Sequence, residues 1–260
     1  EFYYPDNGFQ DLVNALLRTA KKGNLNLETS VSILSIDRMN KILLYEKNKQ
    51  IKKVRYKNLI STIPIHSFYY LQSKKSKEIE NKLLNLKYLD IIFVYLFLNE
   101  DQVSNDHWLY FPDQDIIFNR SVEFTTWSRK MSPKGKTCLC FDITVKKNSS
   151  LSKNTNKSII SRVVSDAHRI GYIKKKKVFD SKVIRIPNAY PIYSLDYKEN
   201  LINIVSYLES DDVFLLGRTG IFRYNNSDNS IEMGFKLADN FIKNKKTKSI
   251  LNYTFKDISY

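Results

Sequence analysis

The chain has 260 residues, 42% of them hydrophobic, 13% aromatic and 27% charged, which is long enough for one large or two modest domains and apolar enough to bury a core. That balance excludes collagen-like, mucin-like and intrinsically disordered classes. The formal charge of +15 invites a polyanionic partner, but 32 of the 42 basic residues are lysines dispersed along the chain; phosphate and base readers favour arginine's planar fork, so no nucleic-acid partner is expected.

In chain order, Phe9, Leu12, Val13, Leu16, Leu17 and Ala20 recur at helical spacing behind Asn7-Gly8 and predict an amphipathic helix over 9–22, ended near Gly23. Short β segments follow at 25–36, 41–46, 51–56 and 58–63, separated by polar turns at 37–40 and 47–49 and stopped by Pro64. A helix over 76–86 precedes an antiparallel sheet built from 88–98, 108–111, 116–124 and 137–145, with a turn at Pro112-Asp113-Gln114-Asp115. Residues 146–157, rich in Ser, Asn and Lys, read as a mobile surface loop. A helix over 159–171, a strand over 178–186, an irregular Pro-containing segment over 188–193, a helix over 198–208 and an apolar strand over 213–216 complete the pattern.

Cys138 and Cys140 lie at i and i+2, on one face of a strand and in poor geometry for a disulfide. A reducing compartment fits, and a cytoplasmic location is expected. His66, His107 and His168 are far apart and no Cys-x-x-Cys occurs, so no metal site is expected. The longest apolar run, Ile91–Leu98, is strand-length rather than the ~18 residues of a membrane span, and neither a transmembrane segment nor a signal peptide is expected. The first residue is glutamate rather than methionine, and the chain is expected to be a piece of something longer.

Glycine is scarce, seven in 260 against an ordinary usage of ~7%, yet Gly217, Gly220 and Gly234 fall close together. The order there is apolar strand, glycine loop, helix. Such a unit can hold an anionic cofactor, because bare backbone approaches the ligand and the helix start presents free N–H groups. The helix is predicted from about Asn229, capped by Asn229 with Glu232, with Ile231, Phe235, Ala238 and Ile242 as its buried stripe.

The string from Gly217 to Gly234, Gly-Arg-x-Gly-x-x-x-Tyr-x-Asn-x-Asp-x-x-Ile-x-x-Gly, resembles the C-terminal flavin-binding segment of the FAD-dependent oxidoreductase superfamily. That superfamily includes UDP-galactopyranose mutase, protoporphyrinogen oxidase and flavin amine oxidases, and the Gly-Arg pair with Tyr224 resembles the mutase branch most. Tyr4-Pro5-Asp6-Asn7-Gly8, the 25–36 strand with Val31, Leu59–Pro64, Phe118–Phe124 and Ala189–Tyr193 resemble further superfamily segments in order. Two departures stand out: no Gly-x-Gly occurs, so the phosphate-cradling N-terminal half is expected to be missing from this chain, and Ser227 stands where mutase-like members commonly have Met.

The resemblance implies an α/β (α+β mix) fold, part of a Rossmann-like FAD-binding domain with an inserted antiparallel-sheet substrate domain. Residues 1–66 and 196–260 would belong to the FAD-binding part and 67–195 to the substrate domain. It implies FAD as cofactor, approached by Val31, Gly217, Arg218, Gly220, Asn226, Ser227, Asp228 and Ile231, with the flavin itself as the reacting group. Arg120, Tyr190, Arg218 and Tyr224 would line a substrate cleft suited to a UDP-sugar, guanidinium forks and phenols meeting the diphosphate. Alternatively Arg120 is a surface arginine paired with Glu123, and Tyr190 and Tyr224 are core aromatics. Three functions compete: a mutase-like enzyme on a nucleotide sugar, an FAD-dependent oxidase or desaturase, and a basic non-enzymatic binding module.

Overall fold

The computed structural model describes residues 3–210 and 212–243; the remainder of the expected segment 196–260 lies outside the described residues. Packing divides the chain into two compact units, each assembled from two segments. One, the antiparallel unit, comprises Glu1–Leu27 and Leu89–Pro187; the other, the parallel unit, comprises Glu28–Tyr88 and Asn188–Tyr260. The divisions expected near residues 66 and 195 thus stand beside packing boundaries after 27, 88 and 187.

In the antiparallel unit a five-stranded sheet runs in the order Trp108–Tyr110, Arg120–Glu123, Thr137–Lys146, Lys87–Leu98, Val178–Ile192. Alternation along the strands puts Ile92, Val94, Leu96 and Leu98 on the same face as Leu139, Phe141, Ile143 and Val145, and all eight are buried. Helix Asn156–Arg169 contributes Ile159, Val163, Val164 and Ala167 to that core. The other face carries Tyr95 and Phe97 opposite Cys140 and Cys138. Both cysteines are free thiols; burial pushes Cys138 up to about 12 and raises Cys140 as well, so neither is a ready nucleophile.

Three expectations change here. The 146–157 loop contains a helical turn, Ser150–Lys153, and the following helix already starts at Asn156, where Thr155 Oγ1 accepts from the Ser158 N–H at 3.2 Å. Arg185 holds this segment by donating to the Ser152 and Asn154 carbonyls at 2.8 and 2.6 Å. The strand expected over 116–124 is confined to Arg120–Glu123 and turns into a short helix, Phe124–Trp127. Residues 188–192 are not irregular but continue strand Val178–Ile192, with Asn188 accommodating a φ of 56°. The first helix forms at Gln10–Lys21 with no buried residue, and Phe9, Leu12, Val13 and Leu16 stay 37–45% exposed.

The parallel unit holds an antiparallel meander, Ser32–Asp37, Ile42–Lys47 and Gln50–Arg55. A separate pair of strands, Leu59–Ser61 and Val213–Leu215, runs parallel. Helices Ile65–Tyr70, Lys77–Asn85, Tyr197–Leu208 and Ser227–Ile242 complete the unit, and Ile36, Ile65, Phe68, Leu83, Ile204, Leu208 and Leu215 are among its fully buried residues. The first meander strand begins at Ser32 rather than residue 25, just after Ser30 at φ 56°. Pro64 does more than stop a strand: it caps an unanticipated short helix, Ile65–Tyr70.

The closing helix also differs from expectation. It begins at Ser227, capped by Asn226 with Asn229 rather than by Asn229 with Glu232. Met233 and Leu237 are its buried residues, so the expected stripe faces elsewhere, with Phe235 67% and Ile242 78% exposed. A Cβ on Gly234 would meet nothing within 4 Å, so close packing does not explain that glycine.

Candidate functional site

Strand Val213–Leu215 is buried throughout and delivers the chain, through Leu216, to a single helical turn, Gly217–Gly220. Gly217 has a φ of +74°, a backbone conformation that favours glycine. Gly220 is constrained by space instead: a Cβ there would lie 2.9 Å from the Ser61 carbonyl oxygen and 3.3 Å from Thr62 Cα. The turn is therefore seated backbone on backbone at the end of strand Leu59–Ser61. Thr219 Oγ1 fixes it by donating to the Thr62 carbonyl at 3.0 Å.

Arg218 is the centre of the next shell of contacts. Its Nε and Nη2 donate to the Ala189 carbonyl at 3.1 and 2.9 Å, and Nη1 donates to the Asn225 carbonyl at 2.9 Å. The guanidinium carbon sits 4.8 Å from the Tyr190 ring centre and 4.4 Å from that of Tyr224, and the two rings are near-parallel at 5.6 Å. Tyr193 Oη accepts from the Tyr224 N–H at 2.7 Å. Three of the five guanidinium N–H groups are thus engaged by main-chain carbonyls, so Arg218 first clamps residue 189 to residue 225 and has two donors left for anything else.

The chain between turn and helix is held as firmly. Phe222 is fully buried at φ 52° and meets Tyr88 edge-on at 4.7 Å, while Tyr88 Oη donates to the Thr219 carbonyl at 3.5 Å. Burial raises the Tyr88 phenol well above its ordinary range, which keeps it a proton donor. At the helix start Asn226, Ser227 and Asp228 are exposed, and the first-turn amides of Ser227 and Asp228 have no intrahelical acceptor. Beside them Asn225 is 8% exposed, with its side-chain oxygen buried and without a hydrogen-bond partner among the described residues.

The structure thus brings Gly217, Arg218, Gly220, Tyr190 and Tyr224 into one connected set, followed in the chain by Asn226, Ser227 and Asp228. Ile231 is half-buried one turn into the helix, and Val31 is half-buried just before the meander. Arg120 belongs to the antiparallel unit, where its Nε donates to Asp142 Oδ2 at 2.8 Å and its Nη2 meets the same oxygen; Glu123 is not its partner. Glu123 instead accepts from the N–H groups of Val103 and Ser104 and from the hydroxyls of Thr137 and Thr125. Sequence reasoning missed Ser61, Thr62, Tyr193 and Tyr88, although the Ile60-Ser61-Thr62-Ile63-Pro64 string had marked the strand end that carries two of them.

No family model matches the sequence. Among solved structures, reduced UDP-galactopyranose mutase superposes with a TM-score of 0.80 at 18% identity, over 94% of this chain and 54% of that one. A CLA-producing fatty acid isomerase from P. acnes gives 0.64 at 14% identity over 90% and 52%, and an oxidoreductase from Methanosarcina mazei 0.54 at 15% over 69% and 42%. The fold is the one these solved structures share. The chain spans about half the length of the solved structures it matches. Among the described residues no helix is long and apolar enough to cross a membrane, and no group of three His, Cys, Asp or Glu is placed to hold a metal.

Proposed function

We propose that the chain forms the flavin-ring and substrate-facing part of an FAD-dependent enzyme that acts on a nucleotide sugar, as the likeness to UDP-galactopyranose mutase suggests. The observation that carries this reading is the Gly217–Gly220 turn, pressed against Ser61 and Thr62 and followed by an exposed helix start at Asn226, Ser227 and Asp228. The fit to a flavin is chemical as well as topological. Bare backbone at Gly217, the free first-turn amides and the partial positive charge of a sixteen-residue helix suit a planar ring that becomes anionic on reduction. FAD, when bound, supplies the electron-rich ring for the chemistry, and no acid–base side chain is needed at the turn.

The chain's own residues have the following roles. Thr219 and Gly220 hold the turn on the strand end, and Arg218 ties the segment at 189 to that at 225. Tyr190 and Tyr224 offer two stacked aromatic rings beside a fixed positive charge, an arrangement suited to a nucleotide base or sugar carrying phosphate. Within the antiparallel unit, Arg120 is separately proposed as an anion-binding group, aimed by Asp142. Because Gly-x-Gly is absent, the pyrophosphate-cradling half is assigned to a further polypeptide segment.

Visible flavin absorbance in the protein isolated from its native source tests the cofactor. Equilibrium binding of UDP-galactose to the reduced form, weakened by Tyr224→Ala, supports the sugar-nucleotide reading. Hydrogen peroxide formation with an amine, together with indifference to UDP, would replace it with an oxidase.

A further inference from the structure

Strand Ser32–Asp37 ends in a turn that shares a cavity of about 430 Å³ with the segment after helix Ile65–Tyr70 and the end of helix Tyr197–Leu208. All three belong to the parallel unit. Ser210 and Asp212 line the cavity just ahead of strand Val213–Leu215, so it lies at the other end of that strand from the Gly217–Gly220 turn. Its walls are fastened to one another. The Ile36 N–H donates to the Leu71 carbonyl at 2.8 Å and the Ser73 N–H to the Ile36 carbonyl at 3.2 Å. Arg38 Nη1 donates to the Tyr207 carbonyl at 3.0 Å, and Tyr207 Oη to the Lys74 carbonyl at 3.4 Å. A cavity tied in this way is formed before anything enters it, and its size suits a small organic ligand.

The charges around it do not balance. Asp212 is neutralised by Lys41, Nζ to Oδ2 at 2.6 Å, and accepts from Ser210 Oγ at 2.6 Å. Asp37 spends its two oxygens on the backbone N–H and side-chain amide of Asn40, at 3.1 and 2.7 Å. Arg38 and Lys74 have no carboxylate within 4 Å among the described residues. Arg38 is half-buried and uses one guanidinium N–H on the Tyr207 carbonyl, which leaves four donors. A partly desolvated cation without a counter-ion favours an anion beside it. The lining also has an apolar part, Tyr207 and Met39, and Met39 is 85% exposed.

We propose that this cavity binds an organic phosphate monoester, its phosphate held by Arg38 and Lys74 and its organic part laid against Tyr207 and Met39. A phosphate dianion matches the two unpaired cations in number, whereas a simple carboxylate would leave one of them without a partner. Arginine supplies a planar fork for two phosphate oxygens and lysine a mobile point charge for the third. Inorganic phosphate would leave most of the cavity and its apolar lining unused. A sugar phosphate and a nucleoside monophosphate carry the same anionic group, and the cavity is of a size for either. The site is distinct from the Gly217–Gly220 turn and does not rest on the flavin reading.

The test uses Ser73→Cys, exposed in the lining, to carry an environment-sensitive fluorophore in the protein isolated from its native source; Cys138 and Cys140 are buried and escape the label. Glucose 1-phosphate, AMP and inorganic phosphate are titrated separately. A saturable change is expected with at least one monoester, at least tenfold tighter than with inorganic phosphate, and the tighter of the two tells sugar from nucleoside. Arg38→Gln and Lys74→Gln should each weaken it at least tenfold. Lys175→Gln, which removes the same charge in the antiparallel unit, should leave it unchanged, as should Tyr224→Ala. If Arg38→Gln loses its circular dichroism, the exposed Lys74 decides the matter. No saturable change with either monoester, inorganic phosphate bound as tightly, or Lys74→Gln no weaker than Lys175→Gln overturns the proposal. A response abolished by Tyr224→Ala also overturns it, by assigning the binding to the residues around Arg218.

Discussion

In the antiparallel unit the strands and helix Asn156–Arg169 share one dry core, and even the buried carboxylate of Glu123 has four donors around it. In the parallel unit two three-residue strands support a glycine turn whose fit depends on main-chain contact, and Ile60, Phe235 and Ile242 remain on the surface. The sheet and helix Asn156–Arg169 bury their facing side chains, and Glu123 has its donors, within that unit. The parallel unit positions backbone for something else to use. Stability is therefore expected to be lost most where the antiparallel unit is cut, and function where the parallel unit is touched lightly.

The largest effect is expected at Glu123. Thr125 and Thr137 also bond each other at 2.8 Å, so Glu123→Ala leaves two backbone N–H groups and one hydroxyl without an acceptor, at ~1–3 kcal/mol for each donor not rescued by water, or about 3 kcal/mol in all. Both tryptophans, Trp108 and Trp127, lie in this unit, so urea unfolding followed by tryptophan fluorescence reads it directly; a loss below about 1 kcal/mol contradicts the comparison. Gly220→Ala comes next, because its Cβ would collide with main chain rather than a movable side chain. A cost of about 2 kcal/mol is expected, seen by circular dichroism. Arg218→Lys keeps the charge but loses the fork that engages two carbonyls, and about 1 kcal/mol is expected from calorimetric melting.

Acid gives the smallest and most discriminating effect. In the parallel unit Asp212 is held below its ordinary value by the hydrogen bond from Lys41, and Asp37 by hydrogen bonds from Asn40. Lowered carboxylates contribute stability that is present above about pH 4 and lost as pH falls through their folded values. In the antiparallel unit burial raises Asp142 even against the pull of Arg120. A raised acid acts oppositely: its contribution is full below about pH 4 and declines as pH rises through its folded value. Far-UV dichroism should therefore change before tryptophan fluorescence as pH is lowered below 4; the reverse order would contradict these assignments.

The same contrast explains what could be read from the sequence. Periodicity marked helix Gln10–Lys21, and richness in β-branched and aromatic residues marked the long strands Lys87–Leu98 and Thr137–Lys146. Ile65–Tyr70 was missed because a helix of six residues is too short to establish a period in the sequence. The closing helix was misread because it carries two apolar stripes and three asparagines, 225, 226 and 229, within reach of its start. Arg120 could not pair with Glu123 on a strand, since residues three apart face opposite sides; cross-strand register sets Asp142 against it, and that is a tertiary fact. The Gly-Arg-x-Gly string located the turn, but the carbonyls that Arg218 grips are invisible in any string of side chains.

The flavin absorbance of the natively isolated protein, wild type against Ser227→Glu, tests the central claim most directly. Ser227 is exposed at the first position of the closing helix, where an added carboxylate stabilises the helix by ~0.3–1 kcal/mol while repelling a ring that becomes anionic. The account predicts a flavin band in the wild type that is lost or sharply weakened in the variant, with melting temperature unchanged or raised. Equal flavin content in both, or none in the wild type, would contradict it.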